Sequence, residues 1–225
     1  MRLEKIGDLE CLKLPGEPGG NVVVLCHGFG ANAYDLAPLA GRLKAPAGSS
    51  WVFPQAPLPL NFPGMQGRAW FPLVSDELAR LLASGKKIEF AEVVPPGLDE
   101  SREKFLSMIA SLGSPPDRIT IGGFSQGSML ATDVFLRSSE KFAGLVILSG
   151  TLICQGLWSE AARRHSPFQF FQSHGNFDPV LPFENAKRLE TLLREGGHSG
   201  EFISFSGGHE IPENVLRRLN LYLMR

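Results

Sequence analysis

Short apolar runs alternate with amphipathic stretches of ten or more residues along almost the whole chain. Residues 21–26 read NVVVLC, a β-branched run typical of a strand that is buried on both faces. The other predicted strands are 50–53, 118–121, 144–148, 168–172 and 201–205, and the predicted helices are 34–44, 99–112, 126–137, 183–194 and 213–224. This alternation predicts βαβ units, so we expect an α/β fold with a mainly parallel central sheet and helices on both faces.

The length of the chain fits this architecture. At 225 residues and 24.5 kDa, area scaling predicts that about 70% of the extended surface is buried, which allows a full core without metals or disulfides. We find no repeat, low-complexity tract or linker, so we expect one domain over residues 1–225.

Charge and cysteine usage exclude several classes of partner. The net charge of −1 gives no electrostatic case for binding nucleic acid or an anionic membrane. No apolar run approaches the ~18 residues of a membrane span, and Glu4 stands where a secretory signal would be apolar. Cys11, Cys26 and Cys154 form no metal-binding or disulfide pattern. We therefore expect a cytoplasmic protein without a disulfide framework or a metal site.

One irregular region interrupts the alternation. From Pro54 to Pro72 the chain has five prolines and two glycines, a composition that excludes a helix or a central strand. We expect a long ordered excursion, and the sequence leaves open whether it is an architectural loop, a lid or a pocket wall.

Residues 123–127 read GFSQG, between the predicted strand 118–121 and the predicted helix 126–137. A serine hydroxyl is a poor nucleophile unless a base can take its proton. Small residues two before and two after Ser125 permit a sharp strand-to-helix turn that exposes its Oγ. Because about 0.2 chance matches to this pattern are expected in so glycine-rich a chain, its context must support it.

That context is an acid and a histidine that follow later strands. In open α/β sheets, ligands bind outside the carboxyl ends of the strands. Asp178 follows the strand 168–172, and His209 follows the strand 201–205 after two glycines. The order Ser125, Asp178, His209 is that of α/β-hydrolases, and we predict these residues as nucleophile, orienting acid and general base.

Acyl transfer also needs two N–H groups that stabilise an oxyanion. One predicted donor is Gln126, at a helix N-terminus where N–H groups are unpaired. The other is Phe29, because the glycines on either side of it let the backbone turn its N–H inward.

Other polar residues are assigned to structural roles. His27 and His174 each precede a glycine at a strand end, and we expect both to make local hydrogen bonds that shape their loops. The rest are His165 and His198, expected at the surface, Asp133, expected to point away from the strand ends, and Glu184, in the first turn of a helix.

Residues 28–33 also match the dinucleotide fingerprint G-x-G-x-x-A. That fold needs an acidic residue about 20 positions later to hold the ribose. No acidic residue lies between Asp35 and Asp76, so this interpretation is disfavoured.

Taken together, the motifs resemble the phospholipase/carboxylesterase family of α/β-hydrolases, which contains the acyl-protein thioesterases. They are HGFG at 27–30, WVFPQAP at 51–57, RAWF at 68–71, GGFSQG at 122–127, LSG at 148–150, HGNFDPVLP at 174–182 and GGH at 207–209. The resemblance implies the α/β-hydrolase fold, a cofactor-free hydrolase of esters or acyl thioesters, and the same triad and oxyanion donors. It further implies that Trp70 lines the acyl pocket, which Leu152 and Val180 are expected to border.

Three positions depart from the family pattern. Ser128 replaces a common second glycine, Ala31 stands where thioesterase members often carry aspartate, and Arg2 replaces the cysteine that some eukaryotic members palmitoylate. We therefore expect a carboxylesterase for short to medium acyl chains. An acyl-protein thioesterase, a lysophospholipase and a non-catalytic ligand or partner receptor remain alternatives, and the sequence does not indicate the oligomeric state.

Overall fold

The computed structural model describes residues 2–62, 65–72 and 90–225. The strands are β1 (Glu4–Ile6), β2 (Leu9–Leu14), β3 (Val22–Cys26), β4 (Ser50–Pro54), β5 (Leu58–Phe62), β6 (Met65–Ala69), β7 (Ile119–Phe124), β8 (Gly144–Leu148), β9 (Gln169–Gly175) and β10 (Ser199–Phe205). The α-helices are α1 (Ala33–Leu36), α2 (Leu98–Ala110), α3 (Gln126–Arg137), α4 (Gln155–Arg164), α5 (Phe183–Glu195) and α6 (Glu213–Leu223). Short 3₁₀ turns lie at Ala37–Gly41, Phe90–Glu92 and Pro116–Arg118.

Eight strands form the main sheet in the order β1-β2-β4-β3-β7-β8-β9-β10. The six from β4 to β10 in that order run parallel, while β1 and β2 join antiparallel at one edge. The carboxyl ends of β7, β9 and β10 therefore lie at the same edge of the sheet, where the predicted site residues follow them.

Side chains of the central strands pack in alternation on the two faces. Val22 and Val24 belong to a hydrophobic cluster with α2, α3, α4 and α5, whereas Val23 and Leu25 belong to one with α1 and α6. The continuous apolar run of β3 thus reflects burial on both faces. The predicted α/β class with helices on both faces is confirmed.

The structure corrects three sequence predictions about local elements. The helix predicted at 34–44 is the four-residue α1 followed by a 3₁₀ turn, because Pro38 has no N–H to continue the α-helical hydrogen bonds. The antiparallel strands β1 and β2 were not predicted. Helix α4 was also missed.

The region from Pro54 to Pro72 contains a hairpin of β5 and β6, which forms a sheet of its own. This agrees with the exclusion of a helix or central strand, although the hairpin itself was not predicted. Gly67, in β6, packs directly against Gly30 in the loop that follows β3.

Candidate active site

Ser125 occupies the turn between β7 and α3, with backbone angles φ 54° and ψ −122°. A positive φ is unusual for a residue with a side chain and costs of order 1–3 kcal/mol, so the surroundings must enforce it. The Ser125 N–H donates to the Leu148 carbonyl at 2.9 Å. This is the strained strand-to-helix turn that the sequence predicts.

Two glycines make the turn possible. A Cβ on Gly123 would lie 2.5 Å from the carbonyl carbon of Gly127, and a Cβ on Gly127 would lie 2.2 Å from the Cys26 oxygen. Main-chain atoms cannot give way at such distances. Helix α3 therefore starts in direct contact with the end of β3, which brings Ser125 next to the loop after that strand.

Asp178 and His209, which follow different strands, are in direct contact. The Nδ1 atom of His209 lies 2.7 Å from Oδ2 of Asp178. A carboxylate only accepts hydrogen bonds, so Nδ1 carries the hydrogen and Nε2 is left as the basic nitrogen. The His209 ring also packs against Phe124, with ring centroids 4.8 Å apart, which places the imidazole beside the turn that carries Ser125.

Asp178 is fixed by its own loop. Its Oδ1 accepts hydrogen bonds from the N–H groups of Val180 at 2.8 Å and Leu181 at 2.9 Å. Burial alone raises the pKa of Asp178, but the hydrogen bonds from Leu181, His209 and Val180 outweigh that effect and hold this pKa below its usual value. The carboxyl group therefore remains ionised at neutral pH and can stabilise a protonated His209.

Two further residues lie close to Asp178 and His209. His174, predicted to shape its loop, contacts the Leu181 carbonyl through Nε2 at 2.9 Å and lies 3.3 Å from Asp178 Oδ2. Ser149, which had no predicted role, donates its hydroxyl to the carbonyl of Glu210, the residue after His209, at 3.1 Å. The LSG motif was the available signal for Ser149.

The predicted oxyanion donors lie on either side of Ser125. Residues 27–31, which we call the oxyanion loop, follow β3, and a Cβ on Gly28 would lie 3.3 Å from Cβ of Ser125. Within residues 2–62, 65–72 and 90–225, the N–H groups of Phe29 and Gln126 donate to no backbone acceptor. Both are thus available to a developing oxyanion.

The predicted pocket residues are not brought together at one open surface. Trp70 and Leu152 are buried in the same hydrophobic cluster, and the indole Nε1–H of Trp70 donates to the His27 carbonyl at 2.9 Å. Val180 is instead exposed on the loop that carries Asp178. Their contact with substrate stays a prediction.

The structural roles of His27 and His174 are confirmed. His27 Nδ1 bonds to the Gly28 carbonyl at 2.8 Å, and its Nε2 accepts the Ala56 N–H at 3.1 Å. Burial lowers the pKa of His27 to about 4, so this ring is neutral at physiological pH.

One histidine prediction was wrong. His198 is buried: its ring stacks on Phe168 with centroids 3.8 Å apart, and its Nε2 bonds to the Ala162 carbonyl at 3.0 Å. The chain turns back after α5, where the His198 N–H bonds to the Leu193 carbonyl at 3.1 Å, but the burial of the ring comes from its tertiary contacts with Phe168 and Ala162.

The rejected acids serve other purposes. Asp133 is buried in α3, where it pairs with Arg102 at 2.8 Å and accepts the indole N–H of Trp158 at 2.9 Å. Glu184 lies in the first turn of α5 and pairs with Lys187 at 3.4 Å. Neither contacts His209.

In residues 2–62, 65–72 and 90–225, no three His, Cys, Asp or Glu side chains are placed together to hold a metal ion. In the same part of the chain, no helix combines the length and apolar character needed to span a bilayer.

Comparison with known proteins relates this geometry to characterised enzymes. The sequence model described as Phospholipase/Carboxylesterase matches residues 10–224. The chain is 29% identical to acyl-protein thioesterase 1 of Emericella nidulans over 78% of this chain and 76% of that protein. It is 25% identical to the Arabidopsis thaliana carboxylesterase SOBER1 over 90% and 89%. The crystal structure of esterase PE8 superposes with a TM-score of 0.76 and 25% identity, covering 96% of this chain and 97% of that one.

Proposed function

This chain belongs to the phospholipase/carboxylesterase family of serine hydrolases, and from that premise we propose that Ser125, His209 and Asp178 hydrolyse carboxylic esters of short to medium acyl chains. The observation that carries the proposal is the 2.7 Å contact between His209 and Asp178, beside a serine held at φ 54°.

The proposed reaction is a two-step acyl transfer. His209 Nε2 takes the hydroxyl proton of Ser125 as its Oγ attacks the ester carbonyl carbon. Asp178 holds the tautomer in which Nε2 is basic and stabilises the imidazolium that forms. The N–H groups of Phe29 and Gln126 stabilise the oxyanion of the tetrahedral intermediate.

The first step ends when His209 gives its proton to the departing alcohol or thiol, which leaves an acyl-serine at Ser125. In the second step His209 takes a proton from water, whose oxygen attacks the acyl carbon. As the second intermediate collapses, the bond to the Ser125 Oγ breaks, His209 returns the proton to that oxygen, and the carboxylic acid is freed. The nitrogen Nε2 thus serves as base and acid in turn.

A thioesterase for acylated proteins is a second candidate, because the Emericella relative bears that name. Ala31 stands where thioesterase members often have aspartate, and this favours the carboxylesterase assignment. The kcat/KM values for a p-nitrophenyl ester series from acetate to palmitate, compared with those for a palmitoylated peptide, separate the two. Higher values for the peptide than for all esters would support the thioesterase, and so would a continued rise to the longest chain.

The nucleophile is tested with Ser125→Ala. We expect about 10⁶-fold lower kcat for a p-nitrophenyl ester, with an unchanged melting temperature. Ser111→Ala, which removes a surface hydroxyl bonded to the Ser107 carbonyl, is the matched control and should keep full activity. Turnover by the Ser125 variant within tenfold of wild type would contradict the assignment.

A fluorophosphonate probe tests the remaining alternative, a non-catalytic receptor. We expect the probe to label Ser125 in the folded protein, since labelling requires an activated serine. Folded protein that resists the probe and lacks turnover would support the receptor.

We also propose that the whole chain acts as one domain in the reducing cytoplasm. Cys11, Cys26 and Cys154 are all buried free thiols, as is usual where disulfides do not form.

A further inference from the structure

We propose that the hairpin of β5 and β6 is a fixed brace for the oxyanion loop, and that Gly67 and Arg68 are positioning residues through which it aligns the Phe29 N–H. This inference rests on the proposed function, because it concerns the donor that Phe29 supplies. Of the three roles that the sequence leaves open for the region from Pro54 to Pro72, an architectural loop, a lid or a pocket wall, it favours the architectural one.

Main-chain hydrogen bonds join the hairpin to the oxyanion loop. The Gly30 N–H donates to the Arg68 carbonyl at 2.9 Å, and the Arg68 N–H donates to the Ala31 carbonyl at 3.0 Å. These bonds fix the chain just after Phe29. Just before it, the Gly28 carbonyl, which belongs to the same peptide group as the Phe29 N–H, is bonded to Nδ1 of His27 at 2.8 Å and accepts the Ala31 N–H at 3.3 Å. The peptide that presents the Phe29 N–H is thus held at both ends.

Gly67 makes this approach possible. A Cβ at Gly67 would lie 2.0 Å from the Gly30 oxygen and 2.5 Å from its carbonyl carbon. No side-chain motion can relieve contacts with main-chain atoms, so a methyl group here must displace the oxyanion loop or the strand. The hairpin therefore fits against the loop without a gap.

The Arg68 side chain anchors the hairpin to the rest of the molecule. Its Nε donates to the Ala56 carbonyl, and its Nη2 donates to the Pro57 carbonyl at 3.0 Å. The Ala56 N–H in turn donates to Nε2 of His27, at the start of the oxyanion loop. Arg68 in the hairpin is thus bonded to residues 56–57 after β4, and Ala56 is bonded in turn to His27 in the oxyanion loop.

The segment after β6 is tied to the second oxyanion donor. The buried side chain of Gln126 accepts the Trp70 N–H at 2.9 Å and donates to the Phe71 carbonyl at 2.7 Å. The hairpin and the segment that follows it are therefore bonded both to the loop that carries Phe29 and to Gln126, the second proposed donor. Oxyanion stabilisation depends on donors that are aligned before the reaction starts, and a misplacement of about 1 Å can cost about 100-fold in rate.

Two substitutions test the brace, one at its main-chain contact with the loop and one at its side-chain anchor. Gly67→Ala forces the strand away from the loop, and Gly41→Ala is its control, because a Cβ at Gly41 meets nothing within 4 Å. Arg68→Gln removes the anchor, while Arg68→Lys keeps one charged donor. Arg118→Gln is the control for the anchor, since Arg118 donates to the remote Gly19 carbonyl.

Four measurements are made on each purified variant: kcat and KM for a p-nitrophenyl ester, the inhibition constant of a trifluoromethyl ketone, the fraction of sites labelled by fluorophosphonate, and the melting temperature. We expect kcat per labelled site to fall about tenfold to a hundredfold in Gly67→Ala and Arg68→Gln, with KM within about threefold. Affinity for the ketone, which forms an oxyanion adduct, should fall in parallel. Arg68→Lys should recover part of both losses.

A purely structural role predicts another pattern. Lower melting temperatures with kcat per labelled site and ketone affinity within twofold of wild type would overturn the proposal. If Gly67→Ala does not fold, the two Arg68 variants decide by the same criteria. Wild-type protein that neither hydrolyses the ester nor reacts with the probe would instead overturn the proposed function, so the two failures are distinguishable.

Discussion

Ser125 and the oxyanion loop are held mainly by main-chain contacts, whereas Asp178 and His209 are held mainly by side-chain hydrogen bonds. In the first region, which we call the nucleophile half, Ser125 is 9% exposed and Gln126 is 1% exposed. In the second, the acid–base half, Phe177 and Val180 flank Asp178 and are 72% and 61% exposed. The nucleophile half is thus buried, whereas the acid–base half lies on loops with exposed residues, although the side chain of Asp178 itself is buried.

This difference predicts which kind of substitution each half tolerates least. Where main-chain atoms touch, a single added methyl group has no room, so the nucleophile half should be sensitive to shape. Where side-chain hydrogen bonds hold the geometry, the acid–base half should be sensitive to the charge and the donor pattern of individual groups. Four predictions test this contrast.

The largest effect is expected from Asp178→Asn in the acid–base half. An asparagine carbonyl can still accept the Val180 and Leu181 N–H groups, so the fold should persist. The charge that stabilises a protonated His209 is lost, and the ring is no longer held in the required tautomer, so we expect kcat to fall about 10⁴-fold. Asp117→Asn, at an exposed position, is the control. A loss of less than tenfold would show that Asp178 does not orient the base.

In the nucleophile half, Gly127→Ala should act through shape. The new Cβ would lie 2.2 Å from the Cys26 oxygen and 2.5 Å from the His27 oxygen, so we expect the free energy of unfolding in urea to fall by about 3 kcal/mol. Gly156→Ala is a matched control, because Gly156 is also the second residue of a helix that begins Gln-Gly and its Cβ meets nothing within 4 Å. Equal stability of the two variants would contradict the steric argument.

The sequence predicted some features of these two halves and not others. The bounds of α3 and the positions of Ser125, Asp178 and His209 after strands followed from the sequence, because a buried parallel strand, a glycine-flanked serine and residues at strand ends each leave a local pattern. Helix α3 was predicted at 126–137, as observed. The contacts of the brace were not predictable, since the bonds from Gly30 to Arg68 join segments that no periodicity relates.

The missed elements have similar explanations. Strand β2 reads LECLKL and lies near the sheet edge, where a partly exposed strand lacks the continuous apolar run of β3. Helix α4 reads QGLWSEAARR, and its buried residues Trp158 and Ala162 are one turn apart, but it has a glycine in its first turn and no capping side chain, so it lacks a clear start signal. His198 was misplaced because its burial comes from tertiary packing on Phe168.

The third prediction separates the halves by pH. Burial lowers the pKa of His27 to about 4, so the unfolded chain, with a histidine pKa near 6.5, binds this proton first. His27 therefore makes stability fall as the pH drops from about 6.5 to about 4, by about 2 kcal/mol between pH 7.5 and pH 5. His27→Gln, whose side-chain oxygen can accept the Ala56 N–H, should reduce the pH dependence of urea unfolding by the contribution of His27. His174 and His198, whose pKa values burial also lowers, account for part of the dependence that remains.

Asp178 should act in a lower pH range. Its pKa is held below the usual value, so its stabilising contribution is present above about pH 4 and is lost as the pH falls through the folded pKa. Asp178→Asn should therefore leave the slope above about pH 5 unchanged. An unchanged slope in His27→Gln over that upper range would contradict the assignment of this loss to the nucleophile half.

The smallest effect is expected at the surface of the acid–base half. Val180 is exposed beside Asp178, and if it borders the acyl chain, Val180→Ser removes apolar contact worth about 1 kcal/mol, or about fivefold in kcat/KM. The loss should grow with acyl length across a p-nitrophenyl ester series and be absent for the acetate, because short chains do not reach the side chain. Leu221→Ser, at a position 60% exposed on α6, should leave the whole series unchanged. An equal loss at every acyl length would instead mean that the substitution disturbs the hydrogen bond from the Val180 N–H to Asp178. Val180 would then help to hold the acid and would not belong to the acyl site.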